Sequence, residues 1–557
     1  MADGSDARTS NGLSRRELLR YGVLGTGAAL TAPLWSSLAL AGPAPVAPAV
    51  QPKKGGTMVI AWEADPGVLV PGLSTGGATV RALVLMYDSL VHEDYTKPAT
   101  QVDTPPLIPG LAERWNISSD GLTYTFNLRR GVKFHDGTEV DAEAIKFNFD
   151  RAMDERHPHF DATLRSINTS LVGYHVIRET RVVDKYTFQM ILREPFPSML
   201  RNLATRTTGI VSPAAMRRMG NDRFALNPVG SGPFKFVEQE RGVKAVLERN
   251  PDYWGGAPLL DRVVIRPVIE ASSRVAALLA GEVDLMVVIP PDSVYQLRFN
   301  RGITVAFAGP PHIWFWMLNN RATQTRDKRV RQAMNLAVNR EGLAKDIMRN
   351  TATIAKGPFP PGNPGYERSN VAGYTYDPAR ARRLLAEAGF PNGFEMRAFY
   401  PASGTGMMVP TPMNEYIQAN LRDVGIRVNF EVMEFGAFIA RARLGLDDQT
   451  AALQTSWSSS DPFWLETMFH SDLHPPRGNV RTWYKNPEVD RLLDQARREL
   501  NDQRRLQLYR QAEKIIFDDA PWIFVVHDRS PIAYRAKVQN FVAPPSWSFD
   551  LKNVWLR

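Results

Sequence analysis

Apolar and polar side chains alternate strictly along Leu122-Thr123-Tyr124-Thr125-Phe126-Asn127-Leu128, the pattern of a half-buried strand. The turn signal Asp120-Gly121 stands directly before it, and Asp136-Gly137 closes the short apolar segment Val132–Phe134. Met58–Trp62, Phe234–Val237, Lys244–Glu248 and Arg262–Val268 are expected as further short strands. The last two are separated by the turn-rich run Asn250-Pro251-Asp252-Tyr253-Trp254-Gly255-Gly256. A 3.6-residue period takes over elsewhere. Ala142–Met153 reads as a helix, and Ser272–Ala280 as another that Gly281 ends. Val330, Ala333, Met334 and Ala337 share one helical face. Asp377-Pro378 supplies an N-cap and a first-turn proline for a helix that Gly389 stops. Asn486-Pro487 repeats that start, with Val489, Leu492, Leu493, Ala496 and Leu500 as the apolar stripe. Strands and helices alternate, so the class is α/β.

The chain has 557 residues, 44% of them hydrophobic, enough for about three to four domain-sized units. Charged residues are 22%, near the globular average, which argues against disorder. The net charge of +9 raises the question of nucleic acid. Its Lys and Arg are scattered among acids, as in Asp377–Glu387 and Glu488–Glu499, and form no basic stripe. No cysteine is present, which excludes disulfides, Cys-ligated zinc, a thiol nucleophile and a lipidated cysteine.

Targeting information sits at the start. Ser14-Arg15-Arg16-Glu17-Leu18-Leu19 places paired arginines before an apolar, Gly- and Ala-rich stretch from Tyr21 to Leu40, broken by Pro33. Ala39-Leu40-Ala41 offers small residues for a signal peptidase. We therefore expect residues 1–41 to be an export signal of the twin-arginine type, the alternative being a retained anchor. Residues 42–54 are a Pro/Ala-rich leader.

Catalytic motifs are missing. The chain has no His-Glu-x-x-His, no Walker A loop and no Gly-x-Ser-x-Gly elbow. His157-Pro158-His159 lacks a partner at a recognised metal spacing and reads as a solvated loop. Neither a cofactor nor a metal is expected, and weight moves from enzyme to binder.

A longer set of blocks carries a resemblance. Leu111-Ala112-Glu113-Arg114-Trp115, the run Ser119–Gly137, Pro228-Val229-Gly230-Ser231-Gly232-Pro233-Phe234 and Leu247–Gly256 follow one another in family order. Gly281-Glu282-Val283-Asp284-Leu285, Arg329-Val330-Arg331-Gln332-Ala333 and Asp519-Ala520-Pro521 continue it. Together they resemble family 5 extracellular solute-binding proteins, the peptide-, nickel- and opine-type receptors of ABC importers. That resemblance implies a two-lobed type II periplasmic binding protein with an extra subdomain on lobe I. Carried onto this chain, lobe I comprises 55–92, 222–308 and 526–557, the inserted subdomain 93–221, and lobe II 309–525. It also implies a soluble periplasmic monomer that takes a small-molecule or peptide ligand, has no nucleic-acid partner, and delivers to permease subunits in the inner membrane. An exported hydrolase, and a sensory or chaperone-like binder on the same fold, are the competing readings.

The family places a tryptophan near the lobe II cleft, followed after two residues by an aspartate that in peptide receptors pairs with the ligand's α-amino group. Here the run is Thr455-Ser456-Trp457-Ser458-Ser459-Ser460-Asp461-Pro462. Trp457 matches, Ser460 occupies the aspartate position, and Asp461 falls one residue later. A Trp-Ser-x-Ser run is closer to the glutathione-type branch. Trp457 then faces the cleft, or is a core aromatic. Asp461 binds an amino group, or caps the helix after Pro462. Trp314 and Trp316 would share one face of a strand, where one stacks on ligand or both pack in the core. Ser231 sits where the family's Gly-Thr-Gly turn lines the cleft. Thr75, in the polar loop Ser74–Gly77, is a further candidate contact, although Val68-Leu69-Val70-Pro71 replaces the family's Ser-Leu-Asp-Pro before it.

Overall fold

The computed structural model describes residues 51–101, 103–309, 312–369, 373–458 and 461–557. The export signal expected over residues 1–41 lies outside them, and so does Ser460; of Ser458 only the backbone is described.

Two large sheets organise residues 52–557. The first has seven strands in the order Ile303–Phe307, Pro531–Arg535, Leu285–Met286, Thr57–Trp62, Arg262–Pro267, Lys244–Arg249, Phe234–Glu240. Thr57–Trp62 runs parallel to both of its neighbours, and Pro531–Arg535 antiparallel to both of its own. The second has six strands in the order Ala352–Ile354, Trp522–Asp528, His312–Leu318, Thr450–Ser458, Phe394–Pro401, Ile426–Met433. The chain passes between them twice, from Ile303–Phe307 into His312–Leu318 and from Trp522–Asp528 into Pro531–Arg535. Each sheet carries its own core, which makes two lobes.

The strand His312-Ile313-Trp314-Phe315-Trp316-Met317-Leu318 is buried at every position. Both faces of its sheet are covered, so no polar face is needed and the sequence reads as one apolar run. Trp314, Trp316 and Leu318 enter one core, while Ile313, Phe315 and Met317 enter the other. There Phe315 stacks on Trp522 with ring centroids 3.7 Å apart. The alternation expected for Trp314 and Trp316 is thus present.

A smaller antiparallel sheet has the order Ala112–Ile117, Thr123–Leu128, Thr187–Leu192, Ile177–Asp184. Tyr124, Phe126 and Leu128 point into its core, and Thr123, Thr125 and Asn127 are half-exposed. The helix Ala142–Met153, capped by Asp141 accepting from the Ala144 N–H at 2.9 Å, covers that core with Phe149.

Asp88 is buried where this unit meets the seven-stranded lobe, its backbone carbonyl accepting from the Ile210 N–H at 2.9 Å. Its carboxylate accepts from Ser231 Oγ, Tyr253 Oη and Trp254 Nε1, each at 3.0 Å. Burial pushes the Asp88 carboxyl up, against those bonds and the nearby Arg206 charge.

Helix ends follow their side chains. Asp377 accepts from the Arg380 N–H at 2.8 Å, and Asn486 from the Glu488 N–H at 3.0 Å. Gly281 ends its helix at φ 81°, a conformation costly for any residue with a Cβ. One expectation is corrected. Leu500 is not part of the stripe on Pro487–Arg498; it lies past the helix end and is 47% exposed. The chain must break there because Asn501 is already the N-cap of Asp502–Asp519.

Candidate functional site

The two lobes touch. The Ala78 N–H, at the start of the helix Gly77–Met86, donates to Thr405 Oγ1 across the cleft at 3.1 Å. Ser198 Oγ donates to Asp461 Oδ1 at 2.9 Å, and Thr467 Oγ1 to the Ser170 carbonyl at 2.9 Å. Phe196 meets Phe463 edge-on at 4.8 Å. Enclosed between these contacts is a cavity of about 490 Å³, within the range of roughly 300–1,000 Å³ usual for small-molecule sites.

Trp457 lines this cavity near the end of the strand Thr450–Ser458. It is half-buried, with one side packed on the lobe II core, and so serves as both wall and core residue. Thr455 and Ser456 of the same strand also reach the lining. Thr75 lines the opposite wall in a loop braced by Ser74, whose hydroxyl accepts from the Gly76 N–H at 3.2 Å and lies 3.2 Å from Thr79 Oγ1.

Asp461 lines the cavity as well. Its Oδ1 accepts from the Phe463 N–H at 2.8 Å in addition to the Ser198 hydroxyl. Burial pushes its carboxyl up, while the Phe463 and Ser198 bonds and the charges of Arg201 and Arg505 pull it down. The Phe463 bond closes a turn before the helix Trp464–Phe469, whose N-cap position is Phe463 with no side-chain cap, so Asp461 is not the helix cap itself; it faces the cavity at the same time.

Three candidates are placed elsewhere. Trp314 and Trp316 are fully buried in the lobe II core, away from the cavity lining. The Trp314 Nε1–H donates to the Met407 carbonyl at 3.2 Å, behind a residue that does line the cavity, and Trp316 meets Phe430 edge-on at 5.4 Å. Ser231 is buried on Asp88 and does not reach the cavity. His157 and His159 pack against Phe147. Among the described residues no group of three or more His, Cys, Asp or Glu is placed to hold a metal ion.

The cavity also contains residues that sequence reasoning missed: Thr405, Trp547, Arg443 and Arg481. A signal for the first was legible in Gly404-Thr405-Gly406. A Cβ on Gly406, whose φ is 73°, would lie 2.1 Å from Trp547 Cη2, so two segments distant in sequence approach closely there. Nothing in the local pattern marks the two arginines.

Comparison with known proteins decides the family. The family described as bacterial extracellular solute-binding proteins, family 5 Middle, matches residues 106–479. The chain belongs to this family. It is 30% identical over 530 residues to the dipeptide-binding protein of Escherichia coli, covering 91% of this chain and 96% of that one. It is 33% identical over 455 residues to a glutathione-binding protein of Pectobacterium atrosepticum, covering 80% and 85%. The ABC transporter-associated periplasmic binding protein of Helicobacter pylori, solved with the peptide STSA, superposes with a TM-score of 0.83 at 30% identity, covering 90% of this chain and 98% of that one. The family is one of binding proteins, and this family 5 member has the substrate-binding role. Its fold is the two-lobed type II arrangement of those relatives.

Proposed function

We propose that this family 5 protein captures a short peptide, or a glutathione-like one, in the interlobe cavity and hands it unchanged to an ABC importer. The observation that carries the reading is the cavity itself: it lies between two touching lobes, has an aromatic wall at Trp457, and has ionisable groups at Asp461 and Arg481. Such a site separates a ligand from water by closure and recognises its ends by charge. The likeness to dipeptide- and glutathione-binding relatives supports the same ligand class. We read the chain as a monomer acting outside the cytoplasm with membrane permease subunits as partners. Cell fractionation should recover it in the periplasm, and a cytoplasmic pool alone would remove that part.

Thermal-shift measurements with dipeptides, tripeptides, glutathione, opines, glycosides and nickel chelates test the ligand class. A peptide supplied at 100 times its Kd should stabilise the fold by about 2.7 kcal/mol. It should be recovered intact, and the radius of gyration in solution should fall as it saturates the protein. Trp457→Ala should weaken its binding by about 2 kcal/mol, as loss of an aromatic anchor does. Stabilisation by an opine or a chelate with no response to any peptide would defeat the reading.

A further inference from the structure

Two of the four arginines lining the cavity, Arg201 and Arg206, already have partners. Arg201 pairs with Glu93 at 3.2 Å and also donates to the Pro105 carbonyl at 2.6 Å. Arg206 donates to Ser89 Oγ at 2.8 Å and lends its charge to Asp88. Arg481 differs. It is only 4% exposed, and among the described residues no carboxylate lies within ion-pair distance of it. Its Nε is buried with no hydrogen-bond partner, and its Nη2 has only Asn479 Oδ1 at 3.4 Å. The Trp457 ring lies with its centroid 6.0 Å from the guanidinium carbon.

A second cation aggravates this. Arg443, at the end of the helix Phe435–Arg443, lines the same cavity and makes no ion pair among the described residues. Burial pulls the Arg481 guanidinium down to about 10, and the Arg443 charge pulls in the same direction. Two like charges line one cavity, one of them desolvated, and among the described residues neither has a carboxylate within ion-pair distance. Removing a guanidinium from water without a counter-charge is unfavourable. A carboxylate offers the planar pair of acceptors that a guanidinium fork fits, and would relieve both the desolvation and the mutual repulsion.

We propose that Arg481, assisted by Arg443, is the anion-binding end of the cavity and holds a carboxylate of the captured ligand beside Trp457. The identity of that carboxylate as a peptide's rests on the ligand class proposed above; the anion site itself does not. Sequence position gives the pair a division of labour. Arg481 is fixed in the wall, its backbone carbonyl accepting from the Leu446 N–H at 3.1 Å, whereas Arg443 is exposed on its helix. The buried charge therefore sets selectivity, and the exposed one adds attraction during entry.

Calorimetry with matched peptides tests this. Peptides with a free C-terminus are titrated into the parent protein beside the same peptides as C-terminal amides. The amides should bind at least tenfold more weakly. Arg481→Gln should lower the acids to the level of the amides and leave the amides unchanged. Arg443→Gln, an exposed substitution that keeps the fold, should cost the acids several-fold and the amides nothing. Equal affinity of acid and amide in the parent would overturn the anion site and leave the peptide reading standing. If no peptide binds in either form, the peptide reading fails. The anion site is then decided by melting temperatures in acetate, phosphate and sulfate against chloride at equal ionic strength. A rise with acetate in the parent, absent in both variants, keeps the carboxylate site. A rise with phosphate or sulfate alone, or equal responses in parent and variants, overturns it.

Discussion

Asp461 shows how one side chain serves local structure and the cavity together. Its Oδ1 takes the Phe463 N–H and the Ser198 hydroxyl, so the same oxygen holds a turn in lobe II and a contact across the cleft. An asparagine offers an equivalent acceptor and caps about as well. Asp461→Asn should therefore leave the melting temperature of the ligand-free protein unchanged and alter ligand affinity less than tenfold, measured by calorimetry. A loss above tenfold at an unchanged melting temperature would assign Asp461 to the ligand's amino group. At this scale the sequence was partly legible. Trp457, Asp461 and Thr75 were named from residue type and family position, and all three line the cavity. Trp314 and Trp316 were open between core and ligand because alternation fixes which residues share a face, not which body covers that face. Arg481 was invisible for the opposite reason: what sets it apart is that no carboxylate among the described residues comes within ion-pair distance, which depends on segments far away in the chain.

Elements were easier to read than contacts between them. Caps and stops are written in a few adjacent residues, so Asp377, Asn486 and Gly281 could be placed before any tertiary structure was known. The half-buried strand Thr123–Leu128 announced itself by alternation, because only one of its faces meets a core. The short strand Leu285–Met286 gives two residues of signal, and its partners Thr57–Trp62 and Pro531–Arg535 are remote, so its place in the sheet was not legible. The clasp at the start of the helix Gly77–Met86 belongs to the same class. Thr405 accepts there from the Ala78 N–H, one of the donors a helix leaves unsatisfied in its first turn. Thr405 also neighbours Glu63, whose carboxyl burial pushes up while Arg81 and Thr405 hold it below its ordinary value. Thr405→Val keeps the shape and removes the acceptor for the Ala78 N–H. Loss of hydrogen bonds to buried partners costs about 1–3 kcal/mol, here charged to the closed form. We expect ligand affinity to fall by about 5- to 150-fold, chiefly through faster dissociation in stopped-flow measurements, the range that this energy implies. An unchanged dissociation rate would show that the clasp does not hold the lobes together.

At the scale of the whole molecule, the two lobes are joined where the chain crosses between their sheets, and that junction is where titration should register. His312 opens one crossing strand and His527 lies near the end of the other. The two strands pair here, Ile313 opposite His527, and the His527 Nδ1–H donates to the His312 carbonyl at 3.1 Å. Burial pulls the His527 imidazole from 6.5 down to about 4, against hydrogen bonds to backbone carbonyls that pull it up. Burial also pulls His312 down to about 3, with the His527 charge acting in the same direction. Both rings are therefore neutral in the folded protein at pH values where the unfolded chain has begun to protonate them. Between about pH 4 and 6.5 the unfolded state binds more protons, so stability rises with pH across that window and is lost as pH falls through it. Asp528, next in the chain, works in the opposite sense, since burial raises its carboxyl to about 7 and the folded state then holds the extra proton. It is common to parent and variant, and cancels when they are compared. His527→Asn retains a side-chain N–H for the His312 carbonyl and removes the titration. Urea unfolding of both proteins at pH 7, 5 and 4 should show the variant losing less stability on acidification. The difference should approach about 3 kcal/mol at pH 4, at about 1.4 kcal/mol per pKa unit. Parallel losses in the two proteins would mean that the crossing strands do not hold His527 neutral, and that the acid sensitivity of the fold lies elsewhere.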